Sequence, residues 1–469
     1  MMAANRTKGA VAEGRASVRQ MGPLRGNTPE SALEPQDVYT KQQRIAELAR
    51  QMPLARLWNL AQYIDEEWIH EAYRRIRKDA AAGVDGVTAQ QYEMRLDENI
   101  RDLLERFKSG QYVAPPVRRV YIPKEGGAEG EKRPIGIPTL EDKLLQRAVI
   151  MVLEPIYEQE FLDCSHAFRP KRSVHGALEA LWHGIMAMGG CWVLKIDIRS
   201  YFDTVKHGFI REFVRKRVGD GVILRVLGKW LKAGIMEKGE LHYADEGTPQ
   251  GGIVSPLISN LYLHEVLDTW FEREIRPLLR GASKILRYAD DALMLFANRE
   301  DALRVREVVV KRLAKYGLEL REDKTRLLRF VRPTGNGEEP EVFDFLGFTH
   351  YWGNSRKGRP IVKRRTAGKK FRTKVRVISD WCRTNRHKPL SEQWRDLCRK
   401  VTGHYAFYGI TSNGPRLKEF LHCVVRLWHK WLNRRNRNNQ LTWEKFNRIL
   451  TQYPLPQPKI YHSVVLAKP

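Results

Sequence analysis

Two short acidic stretches, Lys195–Asp203 (KIDIRSYFD) and Tyr288–Asp291 (YADD), decide how this sequence is interpreted. In the first, an apolar strand delivers Asp197 at its end. In the second, Asp290 and Asp291 occupy the tip of a predicted hairpin. Carboxylates that converge from different strands supply the oxygen ligands that Mg²⁺ prefers. An Asp-Asp pair alone more often marks a turn, because Asp tolerates turn conformations. The rest of the sequence is therefore needed to distinguish a metal site from a simple turn.

Charge is distributed very unevenly along the 469 residues. Residues 356–469 contain 28 Lys and Arg against 5 Asp and Glu, a net charge of +23, whereas the whole chain carries +27. A surplus concentrated in this way is typical of a surface that binds a polyanion, since cations displace the counterions of phosphates. A merely solvated surface accounts poorly for that concentration. The C-terminal quarter is therefore predicted to contact nucleic acid.

The N-terminal third begins with residues 1–40, which lack hydrophobic periodicity and are predicted to be a mobile tail. Two apolar stretches, Arg118–Pro123 and Arg133–Pro138, are separated by a Gly-rich loop and predict a strand pair. Thr139 follows as the expected N-cap of a helix, with Asp142 three residues later.

The pattern of mixed strands and helices continues to about residue 352, which indicates an α+β fold. Apolar spacing from Ala302 to Tyr316 predicts a helix that ends at Gly317. A strand is predicted directly afterwards, at Leu318–Leu320. Beyond Ser355 the pattern becomes helical, so the basic quarter is predicted to be a bundle of helices.

In order along the chain, several motifs resemble the blocks of reverse transcriptases, in the version carried by bacterial group II intron-encoded proteins. The matching stretches are Ala81–Thr88, Tyr121–Lys124, Arg133–Pro138, His166–Ser173, Gly247–Pro256, Tyr288–Asp291 and Phe343–Gly347. The resemblance runs from roughly residue 41 to 465. It implies a right-hand polymerase, with fingers and palm made of an antiparallel sheet plus helices, followed by an all-helical thumb that is also called the maturase domain.

The resemblance implies a division of the chain and an activity. Residues 41–115 would form the N-terminal extension and the start of the fingers, 116–352 the fingers and palm, and 356–469 the thumb. The implied activity is that of an RNA-directed DNA polymerase of a mobile intron, which extends a primer and helps the intron RNA to splice and retrohome. The implied partners are intron RNA, an RNA template with a DNA primer, target DNA and deoxynucleoside triphosphates.

The resemblance also implies the catalytic and metal-binding residues. Asp197, Asp290 and Asp291 would be catalytic, and together with the Ile198 carbonyl they would hold two Mg²⁺ ions. Carboxylates from separate strands suit two-metal nucleotidyl transfer, in which one ion activates a 3′-hydroxyl and the other stabilises the leaving pyrophosphate.

Nucleotide contacts are implied for Lys124, Arg133, Tyr201, Phe202 and Gln250. Lys124 and Arg133 would reach the triphosphate, which suits a point charge and a planar guanidinium. Phe202 matches the steric gate that excludes a ribose 2′-hydroxyl, and Tyr201 would belong to the same floor. Gln250 would contact the incoming nucleotide or its templating base.

Two neighbouring positions carry weaker expectations. The pair Gly251-Gly252 is expected to bring the backbone close to the template–primer duplex, the alternative being a simple bend. Arg169, in the Phe-Arg-Pro segment, is a candidate template contact.

A helix that opens at Gly414-Pro415 carries the expected RNA contacts of the thumb. The cations on its polar face are Arg416, Lys418, Arg426, Lys430, Arg434 and Arg435. Cations suit phosphates, and aromatic rings suit base stacking. Trp428 and Trp431, on the apolar face of the same helix, are expected to be buried.

Many members of the family carry a nuclease domain with His and Cys after the thumb, and no such cluster follows here. The chain therefore resembles the branch that lacks an endonuclease, and its primer is expected from another source. Two alternatives stay open. One is a reverse transcriptase recruited to host defence, since Val401–Gly403 resembles a retron motif. The other is a non-enzymatic RNA-binding splicing factor, against which the three intact aspartates argue.

The sequence predicts a cytoplasmic protein without a membrane partner. Its five cysteines show no close pairing, so neither a disulfide framework nor a zinc site is indicated. The N-terminus lacks the apolar core of a signal peptide, and no apolar run approaches the length of a membrane span.

Overall fold

The computed structural model describes residues 35–123, 132–237, 239–243, 247, 251–333, 340–435 and 440–463. Among these residues, mixed sheets and helices lead into a helical C-terminal region, which confirms the predicted α+β class. None of the helices in these ranges combines the length and the apolar character needed to cross a membrane.

Fifteen helices lie within the described ranges. They are α1 (Pro35–Gln51), α2 (Glu66–Arg75), α3 (Ala89–Glu93), α4 (Leu96–Ser109), α5 (Leu140–Tyr157), α6 (Val174–Met188), α7 (Tyr201–Thr204), α8 (His207–Arg217), α9 (Gly221–Leu231), α10 (Ser255–Leu263), α11 (Arg299–Lys315), α12 (Gly368–Asn385), α13 (Leu390–Tyr408), α14 (Gly414–Leu432) and α15 (Trp443–Gln452). Helix α1 begins at Pro35, whereas residues 1–40 were predicted to be a mobile tail. The prediction is therefore wrong for residues 35–40.

Eleven strands in the described ranges form three sheets. They are β1 (Val117–Pro123), β2 (Lys132–Ile137), β3 (Gly190–Asp197), β4 (Ile235–Glu237), β5 (Glu240–His242), β6 (Ser283–Tyr288), β7 (Asp291–Phe296), β8 (Arg326–Val331), β9 (Phe343–Phe345), β10 (Phe348–Asn354) and β11 (Pro360–Thr366). The strand orders are β2-β1-β4-β5, β6-β7-β3-β8 and β11-β10-β9.

The first sheet confirms the predicted strand pair, because β1 and β2 are antiparallel with Val120 opposite Ile135. It adjoins α5, which begins as predicted at Thr139, where the Thr139 side chain accepts a hydrogen bond from the Asp142 amide. The helix α5 is mostly buried and receives the N-terminal helices. The indole of Trp68 on α2 donates to the Ala148 carbonyl at 2.9 Å.

The second sheet, here called the palm sheet, contains the predicted hairpin of β6 and β7. The predicted strand at Leu318–Leu320 is wrong. The chain leaves α11 through Gly317 at φ 74°, and only an isolated antiparallel bridge joins Leu320 to Ile198, just beyond the end of β3. The strand that pairs with β3 on this side is β8, which the sequence pattern did not predict.

The C-terminal region is helical from Gly368 onwards, but β11 precedes it. The prediction that everything beyond Ser355 is helical is therefore wrong for Pro360–Thr366, which pairs antiparallel with β10. The helix α14 opens at Gly414 as predicted. Trp428 is fully buried, whereas Trp431 is half-buried and donates to Ser379 Oγ at 3.1 Å.

A buried polar network joins α5 to α9 and to the segment before α10. The carboxylate of Asp142 accepts hydrogen bonds from Tyr112 Oη, from Trp230 Nε1 at 2.6 Å and from Gln146 Nε2 at 3.2 Å. The Gln146 Oε1 in turn accepts from the Val254 amide at 3.2 Å. Burial raises the pKa of Asp142 to about 6, although the three donors oppose the rise.

This raised pKa predicts a pH-dependent stability. An aspartate whose pKa is higher in the folded protein favours folding when protonated, and that contribution is lost as the pH rises through about 6. The side chain introduced by Asp142→Asn cannot ionise, so the variant does not lose this stability. The free energy of unfolding of the variant minus that of the parent should therefore be larger at pH 7.5 than at pH 4.5, by on the order of 2 kcal/mol. Urea unfolding at both pH values measures this difference. The exposed Asp323→Asn is the matched control, and equal pH dependence of Asp142→Asn and the parent would contradict the assignment.

Candidate active site

The three predicted catalytic aspartates meet at one end of the palm sheet. In the antiparallel pairing of β3 with β7, Asp197 lies directly opposite Asp291. Tyr288 also pairs with Asp291, so Ala289 and Asp290 form a two-residue turn between β6 and β7. The structure thus brings together the acidic residues of the two stretches that are far apart in the sequence.

The catalytic turn, Ala289-Asp290, has an unusual backbone. Ala289 has φ 56°, a left-handed conformation that residues with a Cβ rarely adopt. Ser200, just after β3, has φ 43° and is the second such residue near the aspartates. Strained residues persist only where their surroundings determine them, and they cluster at functional sites.

The electrostatics of the site disfavour charge on its carboxylates. Burial raises the pKa of Asp290, and the neighbouring charge of Asp197 adds to that rise, whereas Arg133 opposes it. Although the Asp291 side chain is exposed at the start of β7, desolvation by the surrounding protein raises its pKa to about 6, and the charge of Asp290 adds to this effect. Cations beside these groups would therefore be strongly favoured.

The carboxylate oxygens at this site suit divalent cations, although the side chains are not yet arranged to bind one. Within the described ranges, no three His, Cys, Asp or Glu side chains lie close enough together to form a metal site as they stand. All three neighbouring side chains are nevertheless carboxylates, which hard cations prefer, and they crowd like charges that a cation would relieve.

The backbone at Ile198, the predicted carbonyl ligand, is held on both sides. The Arg321 amide donates to the Asp197 carbonyl, and the Arg199 amide donates to the Glu319 carbonyl, each at 2.8 Å. The position of the Ile198 carbonyl is therefore fixed by the loop that follows α11.

Several cations beside the aspartates were not predicted. Arg321 Nε lies 3.9 Å from Asp197 Oδ1. Lys195 and Lys324 both lower the pKa of Asp291. A signal for Lys195 was present in the sequence, since a residue two positions before Asp197 shares its face of the strand. Arg321 and Lys324 lie in a loop, where no periodicity points to them.

The two aromatic residues after β3 have different positions. Phe202 is half-buried, as a steric gate requires, and its ring packs on Tyr201 with 5.2 Å between centroids. Tyr201 is 2% exposed, and its hydroxyl donates to the Ser259 carbonyl at 3.0 Å. Tyr201 therefore supports Phe202 from below and has almost no surface of its own for a nucleotide.

The other predicted nucleotide contacts are only partly visible. Lys124 and Gln250 lie outside the described residues. Arg133 is exposed on β2, and its positive charge lowers the pKa of Asp290, so it lies within electrostatic reach of that carboxylate. Gly251 has φ 114°, and a Cβ there would collide with the Gly136 carbonyl, so its close approach is to strand β2 rather than to an open surface.

Arg169, the candidate template contact, is buried, which contradicts that expectation. Its guanidinium binds the Glu158 carboxylate at 3.0 Å and donates to the carbonyls of Leu162 at 2.7 Å and Ser165 at 2.9 Å. These partners occupy the side chain within the protein, so its role is to hold the loop after α5.

A cleft of about 820 Å³ extends from Asp291 to helices α12 and α13. Its lining includes the cations Lys195, Lys369, Lys370, Lys374, Arg399 and Lys400. The cations that the C-terminal helices contribute to this cleft thus belong to α12 and α13, whereas the sequence predicted nucleic-acid contacts on and just after α14. Their spacing in the sequence gives no indication of which helix faces the palm.

Two of the six predicted RNA contacts on α14 are engaged within the protein. Arg416 is half-buried, with its guanidinium 4.5 Å from the centroid of Phe371 and in an ion pair with Glu419. Arg435 Nη2 donates to two carbonyls in the loop between α12 and α13, at 3.1 and 2.9 Å.

The other four cations of this region remain on the surface. Lys418 and Arg426 are exposed on α14. Lys430 and Arg434 are exposed as well and flank the ring of Trp431, at 5.4 and 5.0 Å from its centroid. These side chains present positive charge beside an aromatic ring, as a nucleic-acid surface requires.

Comparison with known proteins agrees with this geometry. Residues 122–350 match the family model described as "Reverse transcriptase (RNA-dependent DNA polymerase)". Protein YkfC of Escherichia coli K12 is 40% identical over 239 residues, which cover 50% of this chain and 62% of YkfC. Group II intron-encoded protein LtrA of Lactococcus lactis subsp. cremoris is 34% identical over 272 residues, which cover 56% of this chain and 45% of LtrA.

A plant protein, Nuclear intron maturase 2, mitochondrial, of Arabidopsis thaliana, is 26% identical over 180 residues, which cover 30% of this chain and 24% of the relative. The matched region thus spans less than two thirds of each of these three relatives. The family match includes the whole palm sheet with its three aspartates, and it implies the right-hand polymerase fold. The chain therefore contains a reverse transcriptase domain and is a relative of the group II intron-encoded reverse transcriptases and maturases.

Proposed function

We propose that the protein is the RNA-directed DNA polymerase of a group II intron, which extends a DNA primer on intron RNA. The observation that carries this proposal is the pairing of Asp197 with Asp291 beside the turn of Asp290, next to a cleft lined with cations. Carboxylates at a strand end and a cationic cleft are the two parts that template-directed nucleotidyl transfer needs.

The carboxylates of Asp197, Asp290 and Asp291, with the Ile198 carbonyl, would hold two divalent ions, which we propose to be Mg²⁺. When bound, such ions lower the pKa of a primer 3′-hydroxyl and neutralise the leaving pyrophosphate. Because burial and mutual repulsion raise the pKa values of Asp290 and Asp291, both carboxylates gain from an adjacent cation.

The incoming deoxynucleotide would lie between the fingers and the catalytic turn. Arg133 supplies a planar guanidinium for phosphate oxygens, and Lys124 would supply a point charge. The ring of Phe202 would lie beneath the sugar, held by Tyr201. Gln250 would contact the nucleotide or its templating base.

The cations of the cleft are proposed to bind the sugar-phosphate backbone of the template–primer duplex. Lys369, Lys370 and Lys374 lie on one helix, and Arg399 and Lys400 lie on the next, so two rows of charge face the palm. Binding of this kind depends on phosphates and not on sequence, which suits an enzyme that has to move along its template.

The exposed cations on and just after α14 are proposed to bind intron RNA and so to assist splicing and retrohoming into target DNA. Lys418, Arg426, Lys430 and Arg434 lie on this surface, whereas Arg416 packs on Phe371 and Arg435 donates to carbonyls of the loop between α12 and α13. Two relatives are named a group II intron-encoded protein and an intron maturase, which supports the assignment. A cytoplasmic location belongs to the same proposal.

The enzymatic half is tested by Asp290→Ala. With Mg²⁺, deoxynucleotides and a primed RNA template, the parent should synthesise cDNA, and the variant should lose at least about 1000-fold in rate, since electrostatic and metal terms dominate such catalysis. Asp323→Ala, which removes an exposed aspartate, should retain synthesis. No cDNA from the parent would refute the polymerase proposal.

The same Asp290→Ala protein should still bind intron RNA, because the cations proposed to bind it lie on and just after α14 and not on the catalytic turn. Its affinity should fall steeply over a series of salt concentrations, as phosphate-dominated binding requires. Loss of RNA binding together with synthesis, or an affinity that does not respond to salt, would contradict the proposed division between palm and thumb.

The steric gate is tested by Phe202→Val. Removal of the ring should admit the ribose 2′-hydroxyl, so the preference for deoxynucleotides over ribonucleotides should fall on the order of 10- to 100-fold, the range that shape discrimination in a pocket supplies. The ratio of kcat/KM for the two substrates measures it. Phe209→Val, which removes another half-buried ring, should keep the parent's ratio. An unchanged ratio in Phe202→Val would remove Phe202 from this role.

A further inference from the structure

A fully buried arginine lies directly behind the catalytic turn. The side chain of Arg287 is 0% exposed, and its Nε and Nη2 bind the two carboxylate oxygens of Asp268 at 2.8 and 2.6 Å. Asp268 is also 0% exposed and ends a short π-helical segment that continues α10. This bidentate ion pair has no contact with water.

The guanidinium makes three further hydrogen bonds. Nη2 donates to Ser165 Oγ at 2.7 Å, and Nη1 donates to Asn260 Oδ1 at 3.1 Å. Nη1 also donates to the carbonyl of Ala289 at 3.1 Å. Arginine has five N–H donors in a rigid plane, and here five bonds reach four partners on three segments of the chain.

The bond to Ala289 differs from the others, because Ala289 is the first residue of the catalytic turn. Its φ of 56° is strained for a residue with a Cβ, and such a conformation persists only where neighbours hold it. The buried guanidinium is a neighbour that can hold it, since it binds the carbonyl that leads into Asp290. The direction of the Asp290 carboxylate thus depends on a bond from the side chain of Arg287, three residues earlier in the chain.

Stability alone does not account for this cluster. Replacing a buried ion pair with well-packed apolar side chains is often neutral or stabilising, because two charges no longer have to be removed from water. A buried arginine with all of its donors used is therefore better explained by the geometry that it imposes. Lysine, with one nitrogen, cannot reach the same partners in one plane.

We propose that Arg287 is a positioning residue that holds the Ala289-Asp290 turn and thereby aims the Asp290 carboxylate at Asp197. The proposal rests on the proposed function, since it concerns the orientation of a residue that we assign to metal binding. Its consequence is that loss of the Ala289 bond weakens divalent-ion binding and slows the chemical step, while template and nucleotide binding persist.

The test compares Arg287→Lys with the parent in two assays. Mn²⁺ binding, followed by electron paramagnetic resonance of the unbound ion in the absence of substrate, should weaken several-fold. In cDNA synthesis, kcat should fall about 10- to 100-fold, as small displacements of a catalytic group do, while KM for the deoxynucleotide stays unchanged. Adding Ala289→Gly to Arg287→Lys should restore part of the Mn²⁺ affinity and part of kcat, because glycine adopts positive φ without strain.

Ser165→Ala is the matched control. It removes one partner of the same guanidinium but leaves the bond to Ala289, so Mn²⁺ affinity and kcat should equal those of the parent. The proposal is overturned if folded Arg287→Lys binds Mn²⁺ like the parent, or if Ser165→Ala loses as much as Arg287→Lys. Absence of cDNA synthesis in the parent would refute the proposed function, while the Mn²⁺ assay would still decide the role of Arg287.

A second variant covers the case in which Arg287→Lys does not fold. The double replacement Arg287→Met with Asp268→Leu exchanges the buried ion pair for apolar side chains, which folded proteins tolerate. Circular dichroism establishes folding, and Mn²⁺ affinity should again fall relative to Ser165→Ala. Parent-like Mn²⁺ affinity in this folded double variant would contradict the proposal.

Discussion

The ion pair between Arg287 and Asp268 is the interaction on which the geometry of the palm depends. It joins the hairpin of β6 and β7 to the long helix that begins with α10. The main chain of Arg287 adds a second connection, since its amide donates to the Cys164 carbonyl at 2.8 Å and its carbonyl accepts from the His166 amide at 3.0 Å. One residue thus ties three segments together directly before the catalytic turn.

The charge distribution follows from this arrangement. Three aspartates are crowded at the end of the palm sheet, where desolvation and repulsion disfavour the ionised forms of Asp290 and Asp291, and cations lie around them on other elements. Outside residues 356–469 the chain carries a net charge of only +4. The positive surface therefore belongs mainly to the C-terminal helices, which deliver it to the cleft and to the outer face of α14. Metal ions would neutralise the carboxylates of the site, and substrate phosphates would neutralise the cations around it.

Much of this architecture could be predicted from local pattern. The hairpin, the N-cap at Thr139 and the helix that ends at Gly317 follow from short-range rules, and the order of motifs indicated that Asp197 and Asp290 meet. The failures share a cause, which is dependence on partners far away in the sequence. Strand β11 is defined by its pairing with β10, and the burial of Arg169 depends on Glu158 and on loop carbonyls.

Side-chain roles were the hardest to predict for the same reason. The sequence placed Tyr201 beside the nucleotide and Arg416 on the RNA surface, but the first has its hydroxyl on the Ser259 carbonyl and the second packs on Phe371. Arg287 directly precedes the Tyr288–Asp291 motif, but its role becomes apparent only from its contact with Asp268 in the fold. Periodicity indicates which face a residue occupies, and only the fold indicates what it meets there.

If Arg287 holds the turn between β6 and β7, Asp197 and Asp290 should bind the same metal ion. Anomalous scattering from Mn²⁺ in crystals of the protein with a primed RNA template and a non-reactive deoxynucleotide can locate that ion. We expect Mn²⁺ between the carboxylates of Asp197 and Asp290, with Arg287 still bound to the Ala289 carbonyl. Mn²⁺ at another position, or a catalytic turn that has left Arg287 on binding the ion, would contradict it.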